Sequence, residues 1–348
     1  MKNLKFIITI LIILSKTGNV LSVESIFTVN NIQVNKNSFK NKEELINIAF
    51  KKGFDKLNSK ILLEKDYIKT KNISPRTIKN LVSHYQIVKN QDENEQNFEL
   101  INLFFKRDKM YNFYNQNNIK YSDVSGKILK ILPVLILKNE IFIYDQNFFY
   151  ENWIKDTNDK KNENIEYIFP LENLETIEII KKNQDNLEMI NLNDIFDKDI
   201  EKDNLIVVID YDNQKTKFFL KGTISSNKII KNLSLTNSNN EKIDYANILK
   251  YLKKEILELV KTQNIIDIGA PSYLNTYLSL KKQDDLFLFQ NILSEVDLIE
   301  NFNVREFDNK VAYINIKYYG KINKIKEKLI EKGIDLNFIN NQWSARLK

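Results

Sequence analysis

The sequence predicts an α+β fold made of several small α/β units, with a mixed central sheet and a C-terminal ferredoxin-like unit. Three observations lead there. Helical and strand periodicities alternate along the whole chain. Residues 205–209 (LIVVI) are apolar at every position, as in a strand covered on both faces. Segment 266–348 runs in the order α-β-β-α-β behind an opening strand, which suits a small sheet with helices on one face. A length of 348 residues suggests two or three domains, and the breaks fall at 23–125 (N-terminal α+β), 126–265 (central α/β) and 266–348 (C-terminal).

The elements follow in order. Residues 26–34 alternate with a phase slip at Asn30-Asn31, which reads as a bulged strand or a tight hairpin. Asn41 with Glu44 three residues on is a capping-box signature, and Leu45, Ala49, Gly53, Leu57 and Ile61 form one stripe of the helix that follows, flanked by Ile46, Phe50 and Phe54. A glycine inside that stripe costs about 1 kcal/mol of helix propensity, so Gly53 implies close approach to a sheet. Ser74-Pro75 starts a short helix, residues 85–88 and 98–105 form a hairpin across the acidic stretch 90–97, and a helix spans 109–117.

In the centre, residues 128–137 form a strand that Pro133 demotes to an edge or a bulge. Residues 148–153 and 174–180 read as helices, 165–169 and 205–209 as strands, and 217–223 with 228–235 as a meander before a long amphipathic helix at 244–261. At the end, 273–280 opens the last unit, and Asp284 or Asp285 caps a helix carrying Leu288, Ile292, Leu293 and Val296. A hairpin (303–307 and 310–318) turns at Asp308-Asn309, and a helix through Ile322, Ile325 and Leu329 stops at Gly333 before a strand at 334–339 that leads to Trp343.

The first 22 residues have the layout of a secretory signal peptide. Lys2 and Lys5 precede an apolar run from Phe6 to Leu14 too short to span a bilayer, and Val20 and Ser22 suit cleavage before Val23. The expected location is therefore the periplasm, with no membrane span once the leader is removed. There is no cysteine, which excludes disulfides, thiolate metal sites, thiol nucleophiles and a lipid on a terminal cysteine. Of the formal charge of +6, Lys2, Lys5 and Lys16 lie in the leader, leaving +3. With lysines and acids interspersed, and Arg76, Arg107, Arg305 and Arg346 far apart, no nucleic-acid footprint is expected.

Residues that could carry chemistry have a simpler reading beside the functional one. His84, the one histidine, reads as a structural or surface residue, because no nucleophile-elbow motif exists to partner it. Asp210 and Asp212 could chelate a cation with Asn213 if they shared a strand face, but Asp212-Asn213-Gln214 is also what a hairpin turn needs. Glu172, Glu175 and Glu178 recur at helical spacing, and a solvated helix face explains them better than paired carboxylates for glycoside chemistry. Phe148-Phe149-Tyr150, Phe218-Phe219 and Tyr318-Tyr319 read as one ring in the core and a neighbour over a sheet edge, and Trp153 and Trp343 as core anchors. Seven glycines without P-loop or dinucleotide spacing speak against nucleotide chemistry. No catalytic, cofactor-binding or metal-ligating residue is assigned.

Taken whole, the pattern resembles the bacterial envelope-associated family called domain of unknown function 2066. The likeness is carried by residues 26–34 before ELINIAFKKGFDKL, by VSHYQIV with FELINLFFKR, by KILPVLIL followed by Trp153, by residues 167–177, and by the ending VAYINIKYYGKINKIKEKLIEKGIDLNF with Trp343. The family carries more Arg and Ala where this chain has Lys, Asn and Ile. The central segment also looks like the amino-terminal α/β domain of TolB-type periplasmic proteins. The resemblance implies an envelope location and supplies no catalytic residues. The expected function is a non-catalytic interaction or assembly module that engages an envelope protein through a sheet edge or aromatic surface. The alternatives are a carboxylate hydrolase acting on cell-wall glycan and a small-ligand or lipid-binding protein.

Overall fold

The computed structural model describes residues 26–88, 97–124, 126–153, 165–184, 186–196, 203–212, 215–236 and 244–348. The leader at 1–22, most of the 90–97 stretch and Asn213 lie outside them. The fold is α+β. The described parts of Met1–Leu57, Ile73–Phe113 and Ile268–Lys348 gather as one compact unit, and those of Asn58–Asn72 and Tyr114–Asp267 as a second.

In the first unit, β1 (Thr28–Asn35) breaks register between Val29 and Ile32, where Asn31 takes a φ of 55°, so the phase slip is a bulge and not a hairpin. Helix α1 (Lys42–Ile61) begins as its cap residues dictate: Asn41 Oδ1 accepts the Glu44 N–H at 2.9 Å, and the Glu44 carboxylate accepts the Lys40 N–H at 2.8 Å, one residue earlier than in a regular capping box. Its stripe is buried, and a Cβ on Gly53 would lie 2.3 Å from Leu103 Cδ1 and 2.6 Å from Ile32 Cδ1, the close approach to a sheet that the sequence implies. Helix α2 (Glu64–Thr70), which the sequence reading omits, belongs to the second unit. Helix α3 (Pro75–Leu81) is capped by Ser74 and leads into β2 (Val82–Val88), which pairs with β3 (Phe98–Phe105) to give the order β1-β3-β2. Helix α4 (Arg107–Gln116) follows.

The second unit is organised by a six-stranded sheet. After β4 (Tyr121–Ser122) come β5 (Lys127–Leu137), β6 (Glu140–Phe142), α5 (Phe148–Asn152), β7 (Ile165–Ile168), α6 (Leu174–Lys182), β8 (Asp203–Tyr211), β9 (Lys215–Ile224), β10 (Asn227–Thr236) and α7 (Tyr245–Gln263), then β11 (Ile265–Ile266), which pairs with β4. The order is β10-β9-β8-β5-β6, with β7 also on β5. Parallel pairing of β5 with β8 and antiparallel pairing elsewhere make it a mixed sheet. Leu205, Val207 and Ile209 pack on one face with Leu252 and Ile256 of α7. Ile206 and Val208 pack on the other with Ile180 of α6, Ile190 and Phe196. That is why 205–209 is apolar throughout.

Pro133 requires a correction, because β5 is an interior strand and not an edge. Its neighbour β7 covers residues 127–130 and β6 covers 135–137, so the edge facing them is open at 131–134. The N and C=O of one strand residue point to the same edge, and Asn147 Nδ2 donates to Pro133 O at 2.9 Å as well as to Ile143 O at 2.9 Å. The missing N–H therefore faces the one gap where no ladder bond is needed.

A buried lysine ties residues 59–62, which belong to this unit, to α7. Lys261 Nζ donates to Ser59 O (2.8 Å), Leu62 O (2.7 Å) and Glu258 Oε1 (3.0 Å), using all three of its protons on the carbonyls at the end of α1 and on one acid. Burial pulls its pKa below the ordinary lysine value against the pull of Glu258.

The C-terminal segment returns to the first unit with β12 (Ser272–Ser279), α8 (Asp285–Glu295), β13 (Ile299–Phe307), β14 (Val311–Tyr318), α9 (Ile322–Glu331), β15 (Ile334–Ile339) and β16 (Gln342–Leu347), in the order β13-β14-β12-β16-β15. The first three strands keep the split β-α-β order of a ferredoxin-like sheet. The fourth place differs: β15 turns back through Asn340-Asn341, both at positive φ, and β16 enters between β15 and β12, parallel to β12. Helix α8 buries Phe289 and Leu293, whereas Leu288 is exposed. Asp284 occupies the cap position without a side-chain bond, and Asp285 instead accepts the Lys281 and Lys282 N–H groups at 2.7 and 2.9 Å. Gly333 ends α9 at a φ of 82°. Within this unit Ile26 N–H donates to Asp297 Oδ2 at 3.1 Å, Arg107 Nη1 to Val296 O at 3.1 Å, and the Tyr111 ring stands edge-on to both Phe27 and Tyr319.

Candidate functional site

The outer face of the C-terminal sheet is the most distinctive surface among the described residues. In SYLNTYLS, Leu274, Thr276 and Leu278 are buried, which turns Tyr273, Asn275, Tyr277 and Ser279 outward. In VAYINIKY, Ala312, Ile314, Ile316 and Tyr318 are buried, which turns Tyr313, Asn315 and Lys317 the same way. The register then sets these residues in rows. Tyr277 opposes Tyr313, their rings meeting edge-on with centroids 4.3 Å apart. Asn275, Asn315 and Asn303 form a second row across three strands, and Asn315 Nδ2 donates to Asn275 Oδ1 at 2.8 Å. Tyr273 and Asn301 flank Lys317 in a third. Tyr273 is 62% exposed and Tyr313 42%, so the rings are offered to solvent and not spent on packing.

The charges of these five strands balance: Lys317, Arg305 and Arg346 stand against Glu300, Glu306 and Asp335. Lys317 Nζ lies 2.8 Å from Glu300, and the two bias each other. Burial pushes the Glu300 carboxyl up, but Lys317 and the Tyr319 hydroxyl outweigh it and hold the pKa below the ordinary glutamate value. Bonding to Glu300 raises Lys317. Burial, seconded by Glu300, raises the Tyr319 phenol well beyond its usual range. The face is neutral, aromatic and rich in amides that both donate and accept, which suits a polar, uncharged contact area and offers no phosphate-neutralising cluster.

The residues singled out in the sequence are scattered. His84 lies exposed on β2, stacked on Phe104 at 4.2 Å with Ser83 Oγ 3.4 Å from its Nδ1, a surface histidine. Asp210 stands opposite Lys217 across β8 and β9, and Asp212 lies beyond the end of β8. Glu175 and Glu178 are exposed on α6. Phe149 and Trp153 are fully buried, and Phe218 and Phe219 face opposite sides of the sheet. Tyr318 and Tyr319 are both buried, so neither covers an edge. Trp343 is only half-buried, tilted against the exposed Phe338 at 5.0 Å, and is less of an anchor than Trp153. Among the described residues no group of three His, Asp or Glu side chains could hold a metal ion, and no helix is long and apolar enough to cross a membrane.

Of the residues singled out in the sequence, Glu172 lines a concavity. A cleft of about 420 Å³ opens between residues 141–145 and the start of α6, with Glu172, Asp145 and Lys181 on its lining and the Tyr144 hydroxyl beneath. Burial raises the Tyr144 phenol pKa, and Thr176 and the Asn173 backbone only partly offset that, since neither reaches the hydroxyl in good hydrogen-bond geometry. Asp145 and Glu172 are both exposed, without the apolar enclosure that makes a carboxyl a general acid.

What sequence reasoning missed is the tyrosine and asparagine face. Its signal is present as the polar phase of two alternating strands, in which every outward residue of β12 and β14 from 273 to 277 and from 313 to 317 is Tyr, Asn or Lys. No family model, no curated protein and no solved structure matches this chain.

Proposed function

We propose that the chain is an exported, non-catalytic protein of the bacterial cell envelope that holds a partner protein through the outer face of its C-terminal sheet. The observation that carries this is the ordered display of Tyr273, Tyr277 and Tyr313 beside an asparagine row, on a sheet whose other face is closed by its own helices. Tyrosines present large contact area at little rotamer cost, and fixed amides supply direction. The pattern of the first 22 residues supports the export.

The test is site-specific photocrosslinking in the producing cell, with a photoreactive residue at Tyr313 and, as control, at Glu178 on the solvated face of α6. A discrete adduct from position 313, absent from 178 and weakened when Tyr273 is replaced by Ala, is the expected result. A folded protein that gives no adduct at 313 overturns the contact surface. Intact chain recovered from the cytosol with Met1 attached overturns the export.

A further inference from the structure

The free edges of the sheets differ in how they are guarded. An edge strand offers unpaired N–H and C=O groups, and proteins blunt such edges by bulging or shortening them. Strand β1 carries the bulge at Val29/Ile32, β2 one at Val82/His84, and β13 two, at Ile299/Asn301 and Val304/Glu306. The edge strand β6 is three residues long, and β15 six. Strand β10 has neither device. It pairs with β9 in unbroken register from Asn227 to Thr236, contains no proline, and among the described residues is bonded to no other strand. Its ten residues present about 34 Å of edge.

The two strands at that edge carry charge of one sign. Strands β9 and β10 together hold Lys215, Lys217, Lys221, Lys228 and Lys231 and no acid. Two of the five are committed: Lys221 Nζ donates to Ile190 O at 2.6 Å, and Lys231 pairs with Glu255 of α7 at 3.2 Å. Lys217 has Asp210 across the ladder. Lys215 and Lys228 are exposed and in no ion pair among the described residues. Lys215, Lys217 and Lys228 all lie on the face of the sheet that carries the exposed Ile230, because their register partners Thr236, Ser234 and Thr223 share its phase.

We infer that β10 is a strand-addition site for an extended acidic segment of a partner protein. The segment extends the central sheet by one strand, its backbone taking the outward N–H and C=O groups of β10, its carboxylates lying on the face of Lys215, Lys217, Lys228 and Ile230, and its apolar side chains on the opposite face beside the partly buried Leu233 and Leu235. A second copy of this chain is a poor occupant, because β10 against β10 sets the lysines of both copies on one ladder, and like charges across strands repel. The site is separate from the tyrosine face and stands or falls without it.

Binding of a fluorescent ten-residue peptide of alternating Glu and Val to the full chain tests this, with the Lys-Val peptide as control. The acidic peptide binds at least about tenfold tighter, loses that advantage in high salt, and loses it again in the Lys215→Glu/Lys228→Glu variant. Adjacent strand residues point their N–H groups to opposite edges, so of Lys231→Pro and Asn232→Pro one removes an outward group and keeps the β9 ladder. The proline variant that retains the native far-UV circular dichroism loses the peptide, and amide exchange along β10 slows when the wild-type chain is bound. Equal binding of both peptides, no protection of β10, or undiminished binding by the folded proline variant overturns the proposal. So does sedimentation showing that β10 is already occupied in a dimer.

Discussion

The two large sheets divide the work of the molecule. The six-stranded sheet is packed on both faces, so that Leu205 to Ile209 are all buried and each residue is fixed by what it fills. Among the described residues the five-stranded sheet is packed on one face only, and its alternating strands leave Tyr273 and Tyr313 in solvent with Tyr277 half-buried beside them. Side chains on the doubly covered sheet are therefore constrained by stability, and those on the bare face are free to be chosen for contact. The contrast also holds for charge, with balanced signs on the bare sheet and only lysines on the β9-β10 flank of the covered one.

The largest effect should come from emptying the covered sheet. Phe149→Ala removes a fully buried ring beside Trp153 and should cost about 3–5 kcal/mol in urea unfolding, whereas Tyr313→Ala on the bare face should cost under about 1 kcal/mol. Comparable losses from the two would erase the distinction. A smaller contrast separates two glycines. A Cβ on Gly222 would lie 2.0 Å from the Asn204 carbonyl oxygen and 2.9 Å from Leu205 Cα, both backbone, so Gly222→Ala should destabilise by about 1–3 kcal/mol or more. At Gly53 the colliding atoms are side-chain methyls of Leu103 and Ile32 that can rotate, and alanine regains about 1 kcal/mol of helix propensity, so Gly53→Ala should cost less. The reverse order would mean that the β8-β9 pair is more pliant than the α1 packing.

The smallest effect is alkaline. Burial raises the phenols of Tyr114 and, with help from Glu300, Tyr319. Above pH 10 the unfolded chain releases these protons while the folded chain keeps them, so the stability they contribute is present below pH 10 and declines as pH rises past it. Tyr319→Phe should flatten that decline in a denaturation series from pH 9 to 11. An unchanged slope would show that this ring does not titrate with unfolding.

Much of the fold was legible because its cause is local. The capping residues Asn41 and Ser74 and the stop at Gly333 act through neighbours within four residues, and each begins or ends its helix as read. What failed depends on distant chain. Pro133 reads as an edge residue unless one knows that Asn147 takes its carbonyl and that β6 and β7 leave a gap beside it. Leu288 and Phe289 are equally apolar, and only the placement of α8 on its sheet decides that Phe289 goes inward. The insertion of β16 beside β12 is a pairing between residues some seventy positions apart, for which the sequence offers alternation but no address. The tyrosine face was readable as a pattern, but its significance comes from the register that aligns Tyr277 with Tyr313.

The braided route of the chain has a consequence for when it can fold. The opening strand and helices are completed by groups translated last: Ile26 bonds to Asp297 across 271 positions, and Arg107 to Val296 across 189. A ribosome delivering the polypeptide from its amino end releases Phe27 and Tyr111 long before Tyr319 exists to cover them. Such long-range closure is slow. The second unit can finish during synthesis, whereas the first must wait for the final residues, so a nascent molecule stays open at its leading end through most of its passage.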